Sequence, residues 1–308
     1  MPNIDLGALE IFKAVADCGG VTKAAARLGR VQSNVTTRVK QLEERLGLAL
    51  FSRQKRKLVL SSEGRLLLAY ADRLLHLSSE AESALRNGKV AGTLQLGALE
   101  STAATRLPLV LSRYHQRYPD VRIELVTGTT GALVTKVRRH EVEAAFVAEP
   151  FTATELDGEP IFRERLVLIT PRAGTRTRGP KDIGHATLIA FAAGCSYRRR
   201  LESWLTAARV TPERVMEFAS YHAIVACVAA GAGIAVVPRS VIRASPGARD
   251  VRVSTLPAPV ADAWTHLVWR TGHRSVVLDA FRDVVRSAKA PANARADRSG
   301  GSERRASR

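Results

Sequence analysis

The chain has 308 residues, of which 45% are hydrophobic and 25% charged, a balance that suits folded globular domains and excludes a disordered or fibrous chain. Lys and Arg number 47 against 29 Asp and Glu, and the resulting net charge of +18 makes polyanions, nucleic acid before a membrane surface, the first partners to consider. Cys18, Cys195 and Cys227 are odd in number and in no CxxC spacing, so neither a disulfide framework, a metal site nor a bound cofactor is implied. Asp5 and Glu10 sit where a signal peptide needs a basic and then an apolar stretch, and the uncharged run Ala223 to Val237 is shorter than the ~20 residues of a spanning helix. A cytoplasmic protein with no membrane segment is the expectation.

In chain order, Leu6, Leu9, Phe12 and Val15 recur every third residue and predict a first helix that stops at Gly19-Gly20. Thr22 is placed to cap a short alanine-rich second helix, KAAARL, closed by Gly29. The third helix is VQSNVTTRVKQLEERL, ending at Gly47. Along it Val35, Val39, Leu42 and Leu46 fall on one side, while Ser33, Thr37, Lys40 and Glu44 lie opposite, flanked by Thr36 and Gln41, with Gln32 in the first turn. LALFSRQKRKLVLS then reads as a two-stranded wing with a cationic tip. From residue 63 to 88 a long helix carries Leu67, Tyr70, Leu74, Leu77, Ala81 and Ala84 at alternating spacings of three and four, a seam for a second helix or for the domain beside it.

From Gly92 strands alternate with helices. TLQLGAL, RIELVT and AAFVAE form one set of strands, and RLVLIT, ATLIAF, RVMEFAS and GIAVVP a second, with amphipathic segments such as SYRRRLESWLTAA and YHAIVACVAAG between them. Two sets predict two α/β lobes around a cleft, with the last helix, SVVLDAFRDVVRSA, returning to the first lobe. The tail after Ala288 lacks large apolar residues and is expected to be disordered. The positive excess is spread over the whole chain, so charge alone locates no nucleic-acid site.

The local geometry of the third helix does. Small hydroxyls and amides near a helix N-terminus let the backbone approach base edges and donate, accept or pack a methyl in the major groove. The alternative is a helix that is merely exposed and polar. The segments LEIFKAVADCGGVTKAAARL, QSNVTTRVKQLEERLGLALFSR and SSEGRLLL, at fixed spacings, resemble the LysR-type transcriptional regulators. The resemblance covers nearly the whole chain. It implies a winged helix-turn-helix over residues 1–62, a linker helix over 63–90 that pairs chains into a homodimer or homotetramer, and a two-lobed α/β effector domain over 91–288 like a type 2 periplasmic binding protein. The lobes are drawn as 91–163 with 267–288, and 164–266, and the basic tail as 289–308. Carried over by position, base reading falls on Gln32, Ser33, Thr36 and Thr37, and phosphate contacts on Arg38, Lys40, Arg53, Lys55, Arg56 and Lys57 of a double-stranded DNA partner. Two residues depart from the family pattern: Val31 has no side chain to cap the helix, and Thr37 stands where Arg is common.

In a two-lobed α/β unit, ligands sit at strand ends against helix N-termini. Ser101-Thr102, Thr129-Thr130, Cys195-Ser196 and Ser220 with His222 are the candidates for holding a small, anionic effector, a carboxylate, with Arg198 as its counter-ion. Each hydroxyl could instead be a helix cap; their convergence on one cleft is implied by the resemblance. Arg199 and Arg200 read as solvated and Glu143 as structural. Two rivals remain: a small-molecule-binding protein that reads no DNA, and an enzyme using Cys195 as nucleophile with His222 as base.

Overall fold

The computed structural model describes residues 4–54, 57–85, 90–173, 179–183 and 186–296. They fall into two compact units divided between Lys89 and Val90, taken here one at a time.

In the first unit α1 (Leu6–Cys18) is capped by Asp5, whose carboxylate accepts from the Ala8 amide at 2.7 Å, and is closed by Gly19 at φ 65°. α2 (Val21–Leu28) corrects the expected cap: it starts at Val21, behind Gly20, so Thr22 lies inside the helix and caps nothing. α3 (Gln32–Leu46) begins directly after Val31, whose carbonyl accepts from the amides of Asn34 and Val35. β1 (Phe51–Gln54) and β2 (Lys57–Leu60) pair antiparallel, Phe51 facing Leu60. Glu43 locks this wing to α3, its Oε1 accepting from the amides of Leu50 at 2.8 Å and Phe51 at 3.2 Å. α4 (Ser62–Leu85) follows.

Two apolar clusters hold the unit together, one around Val15, Ala24, Val35 and Val39, the other around Leu9, Phe12, Leu42, Leu50 and Ala71. α4 has two apolar faces. Leu67, Leu68, Ala71 and Leu75 pack on the unit's own core, whereas Leu66, Tyr70, Leu74 and Leu77 stand 62%, 51%, 43% and 60% exposed. Leu67, which the spacing assigns to the outer seam, is turned inward, and Leu66 takes its place on the exposed stripe.

The second unit opens with β3 (Gly92–Ala98), α5 (Glu100–Thr105), α6 (Leu107–Arg117), β4 (Val121–Thr127), α7 (Thr130–Arg138) and β5 (Ala144–Ala148). β6 (Leu156–Pro171), β7 (Thr187–Phe191), α8 (Ser196–Ala207), β8 (Arg214–Phe218), α9 (Tyr221–Ala229), β9 (Ala235–Pro238) and α10 (Arg239–Ala244) come next. β10 (Val251–Thr255), α11 (Ala258–Ala261), β11 (Asp262–Arg270) and α12 (Val276–Ala296) complete it. The strand order is β10-β6-β11-β5-β3-β4, with β9 also on β6, and β7 pairs with β8 in parallel.

β6 is shared between two lobes. Its first part, through Arg165, pairs with β11, and from Leu166 onward it lies between β9 and β10. The first lobe closes over Leu94, Leu96, Tyr114, Phe146 and Leu267, onto which α12 lays Leu278, Phe281 and Val285. The second lobe's core, with Leu168, Ile189, Leu201, Ile224 and Val237, runs on without a break to Leu133 and Val137 of α7. Three boundaries differ from the sequence reading. The chain returns to the first lobe with β11 at Asp262 rather than at 267, α5 and β10 are additional elements, and α12 continues past Ala288 to Ala296. The remainder of the tail lies outside the described residues.

A Cβ on Gly64 would stand 2.1 Å from the Leu50 carbonyl oxygen, so backbone meets backbone where α4 starts. Gly64→Ala is expected to cost about 2–3 kcal/mol in urea denaturation of the full chain; an unchanged midpoint would contradict this packing.

Candidate nucleic-acid interface and ligand pocket

Burial of Val35, Val39 and Leu42 fixes the rotation of α3, and the opposite side is left in solvent. Gln32, Ser33, Thr37, Arg38 and Lys40 are exposed and Thr36 is half-buried. Thr36 donates its hydroxyl to the Gln32 carbonyl at 2.9 Å, which commits that proton within the helix. Neither Arg38 nor Lys40 forms an ion pair among the described residues, so both cations are available to an outside anion. Of the wing cations, Lys55 and Arg56 lie outside the described residues, as do the side chains of Arg53 and Lys57; the backbone register sets Arg53 opposite Leu58 and Lys57 opposite Gln54.

In the second unit a small pocket opens where strand ends of both lobes meet helix N-termini. Thr129, Thr130, Cys195 and Ser196 line it, together with Glu100, Phe191, Tyr197 and Tyr221. Thr129 caps α7 through the Ala132 amide at 3.4 Å, and the Gly131 amide donates to the Gly194 carbonyl at 3.3 Å, which ties the loop before α8 to the start of α7. Gly194, at φ 87°, is required there: a Cβ would come 2.9 Å from Thr129 Oγ1. Thr130 is buried and bridges the carbonyl and amide of Ala148 at 3.2 Å each, while Ser196 donates to the Pro150 carbonyl at 3.2 Å. These hydroxyls serve the scaffold and the pocket wall together.

Other expected ligand residues lie elsewhere. Ser101 and Thr102 are buried but do not line the pocket; Glu100, one position earlier, does. Arg198, expected as counter-ion, is instead engaged within its own lobe, its guanidinium held by Glu202 at 2.6 Å, Glu217 at 2.5 Å and the Phe191 carbonyl at 3.2 Å. Ser220 precedes α9 half-buried and makes no side-chain cap, and His222 is exposed in the first turn of that helix. Arg200, read as solvated, instead joins α8 to the strands that cross between lobes, donating to the Glu149 carbonyl at 3.1 Å, Glu149 Oε1 at 3.1 Å, the Pro259 carbonyl at 3.0 Å and the Asp262 carbonyl at 2.8 Å. Glu143 is buried and accepts from Ser275 at 3.0 Å, a structural position as read.

Sequence reasoning missed Glu100, Phe191, Tyr197 and Tyr221. Phe191 and Tyr221 stack at 4.9 Å, and in the sequence both read as ordinary core positions of a strand and a helix. Glu100 carried a signal, an acid immediately after a strand that ends in the cleft. Cys195 is buried, its sulfur 3.9 Å from the Tyr221 hydroxyl, and burial pushes its thiol pKa up, opposite to what a nucleophile needs. His222 does not share the pocket with it, so the thiol lacks the base that the enzyme reading requires. Among the described residues there is no cluster of metal-ligand type and no helix long and apolar enough to cross a membrane.

Residues 6–65 match the family model described as a bacterial regulatory helix-turn-helix protein of the lysR family, and residues 87–290 match the LysR substrate binding domain. The HTH-type transcriptional regulator YusT of Bacillus subtilis (strain 168) is 37% identical over 288 residues, 92% of this chain and 95% of the relative. GltR of the same strain, also an HTH-type transcriptional regulator, is 36% identical over 255 residues, 82% of this chain and 86% of the relative. In architecture the chain is similar to a full-length OxyR variant from Pseudomonas aeruginosa, with a TM-score of 0.72 at 23% identity over 94% of this chain and 97% of that one. It is also similar to full-length CbnR solved with its target DNA, with a TM-score of 0.66 at 23% identity over 92% of this chain and 100% of that one.

The buried, unactivated thiol gives a direct expectation. In the native full-length protein Cys195 should react with iodoacetamide at least about tenfold more slowly than after unfolding in urea, and Cys195→Ser should leave DNA binding intact. Rapid native labelling at pH 7 would reverse that reading of the site.

Proposed function

The chain belongs to the LysR family of DNA-binding transcriptional regulators with an effector-binding domain, and from that premise we propose that α3 reads base sequence in the major groove while a small anionic effector in the pocket controls the outcome. The observation that carries the proposal is the outward polar face of α3, held there by buried Val35, Val39 and Leu42. Gln32, Ser33, Thr36 and Thr37 are the base readers, and Arg38, Lys40, Arg53, Lys55, Arg56 and Lys57 hold phosphates. CbnR, a relative in architecture, has been crystallised with its target DNA, which supports the same partner here. A DNA target also sets the work in the cytoplasm.

Residues 1–62 serve as the DNA-binding domain, 63–90 as the linker and 91–288 as the effector domain. The exposed stripe Leu66, Tyr70, Leu74 and Leu77 is too large and too regular for solvent and supports pairing of α4 with a second copy, as homodimer or homotetramer. An anion fits the pocket through the N-termini of α7 and α8 and the Thr129 hydroxyl, whose proton is not committed elsewhere among the described residues. Occupation biases the lobes about β6, and the paired linkers convert that bias into altered spacing of two α3 helices on DNA.

Gln32→Ala is expected to cost about 1–3 kcal/mol on cognate DNA and to relax its sequence preference, whereas Arg38→Ala weakens specific and random duplexes alike and lowers the salt slope by about one. Titration of both duplexes at several salt concentrations tests the division; equal losses on both for Gln32→Ala would refute it. Leu74→Glu should convert the assembly to a smaller species in sedimentation velocity without loss of helical circular dichroism, and an unchanged sedimentation coefficient would remove α4 from the interface.

A further inference from the structure

The pocket described above has a feature that a simple anion leaves unanswered. Glu100 reaches across the cleft: it opens α5 on the first lobe, and its Oε1 accepts from the Tyr221 amide at the start of α9 on the second, at 3.3 Å. Its other oxygen, Oε2, is buried and has no hydrogen-bond partner. No Lys, Arg or His lines the pocket. Of the cationic side chains around it, Arg106 donates to Glu164 at 2.7 Å and Arg198 is held by its own two glutamates, while exposed His222 acts on the Glu100 carboxylate only through its charge and makes no hydrogen bond to Oε2. A carboxylate oxygen buried without a donor costs the fold its full desolvation, and burial accordingly raises the Glu100 pKa. A second polar group on the same wall is in the same position. Tyr197 is 2% exposed, and its hydroxyl makes no hydrogen bond of ordinary geometry, although the hydroxyls of Ser101 and Thr265 lie beside it.

A carboxylate alone would place a second negative charge in a small pocket beside Glu100. A ligand that carries a positively charged donor at its other end removes both difficulties. We propose that the effector is a small zwitterion of the amino-acid type, with its carboxylate on the N-termini of α7 and α8 and its ammonium donating to the free oxygen of Glu100. This deepens the proposed function and rests on its reading of the pocket as the effector site. Because Glu100 already ties α5 to α9, an ammonium on its second oxygen strengthens one of the polar links between the lobes, so the same residue that selects the ligand favours the closed pair of lobes.

The test uses the full-length protein with the proteinogenic L-amino acids, each beside the 2-hydroxy acid of the same side chain, followed by thermal shift and calorimetry. The expected result is that at least one amino acid binds, that its hydroxy acid binds about tenfold more weakly or worse, and that Glu100→Gln loses about tenfold or more for the amino acid without a lower melting temperature of the free protein. Should Glu100→Gln fold poorly, the paired ligands on the unaltered chain still decide. Hydroxy acids binding as well as amino acids, or Glu100→Gln keeping full affinity, would overturn the zwitterion while leaving an anion site in place. Binding of neither class would overturn both the zwitterion and the anionic reading of the pocket.

Discussion

The rotation of α3 about its own axis decides what the first unit can do. Three buried side chains, Val35, Val39 and Leu42, set that rotation by packing between α1, α2 and the start of the wing. Each is worth roughly 1.5–3 kcal/mol when buried, so turning the helix to hide its hydroxyls and amides would forfeit a large share of the stability of a small domain. Glu43 adds a second restraint, since its carboxylate holds the amides of Leu50 and Phe51 and so fixes the wing beside the same helix. A polar row from Gln32 to Lys40 on the outside is a consequence of these contacts. The function of the unit follows from which groups that row leaves unsatisfied.

The second unit works under a different constraint. β6 runs through both lobes, so the lobes share one continuous strand, and their relative orientation is set by what bridges the cleft on either side of it. Two bridges stand out. Glu100 joins the start of α5 to the start of α9, and Arg200 joins α8 to the carbonyls of Glu149, Pro259 and Asp262. α8 therefore carries the pocket wall at its first residues and a crossing-point anchor one turn later. A ligand that shifts Cys195 or Ser196 acts on a helix already fastened to the strands between the lobes.

Much of this was legible in the sequence, and the exceptions have physical reasons. Helices closed by Gly19, Gly29 and Gly47 were readable because a left-handed residue ends a helix whatever surrounds it. Thr22 misled because its hydroxyl is a good cap in isolation, whereas Gly20 supplies the turn and the helix begins two residues earlier. β11 escaped because ADAWTHLVWR mixes polar and apolar residues without turn signals at its start, and its burial comes from pairing with strands distant in sequence. In the pocket, the small polar turns at Thr129-Thr130 and Cys195-Ser196 were visible as strand-to-helix junctions. Arg198 was not foreseeable as engaged, because Glu217 arrives from another strand, and Glu100 required knowing that α9 begins opposite it.

The central claim is that the polar face of α3 lies in the major groove and reads bases there. Full-length protein should be used to select duplexes from a random pool, and the recovered sequences should then be methylated at guanine N7, an atom exposed only in that groove. The account predicts a recurrent motif whose guanines, once methylated, no longer bind. Recovery of no motif, or binding indifferent to N7 methylation, would contradict it.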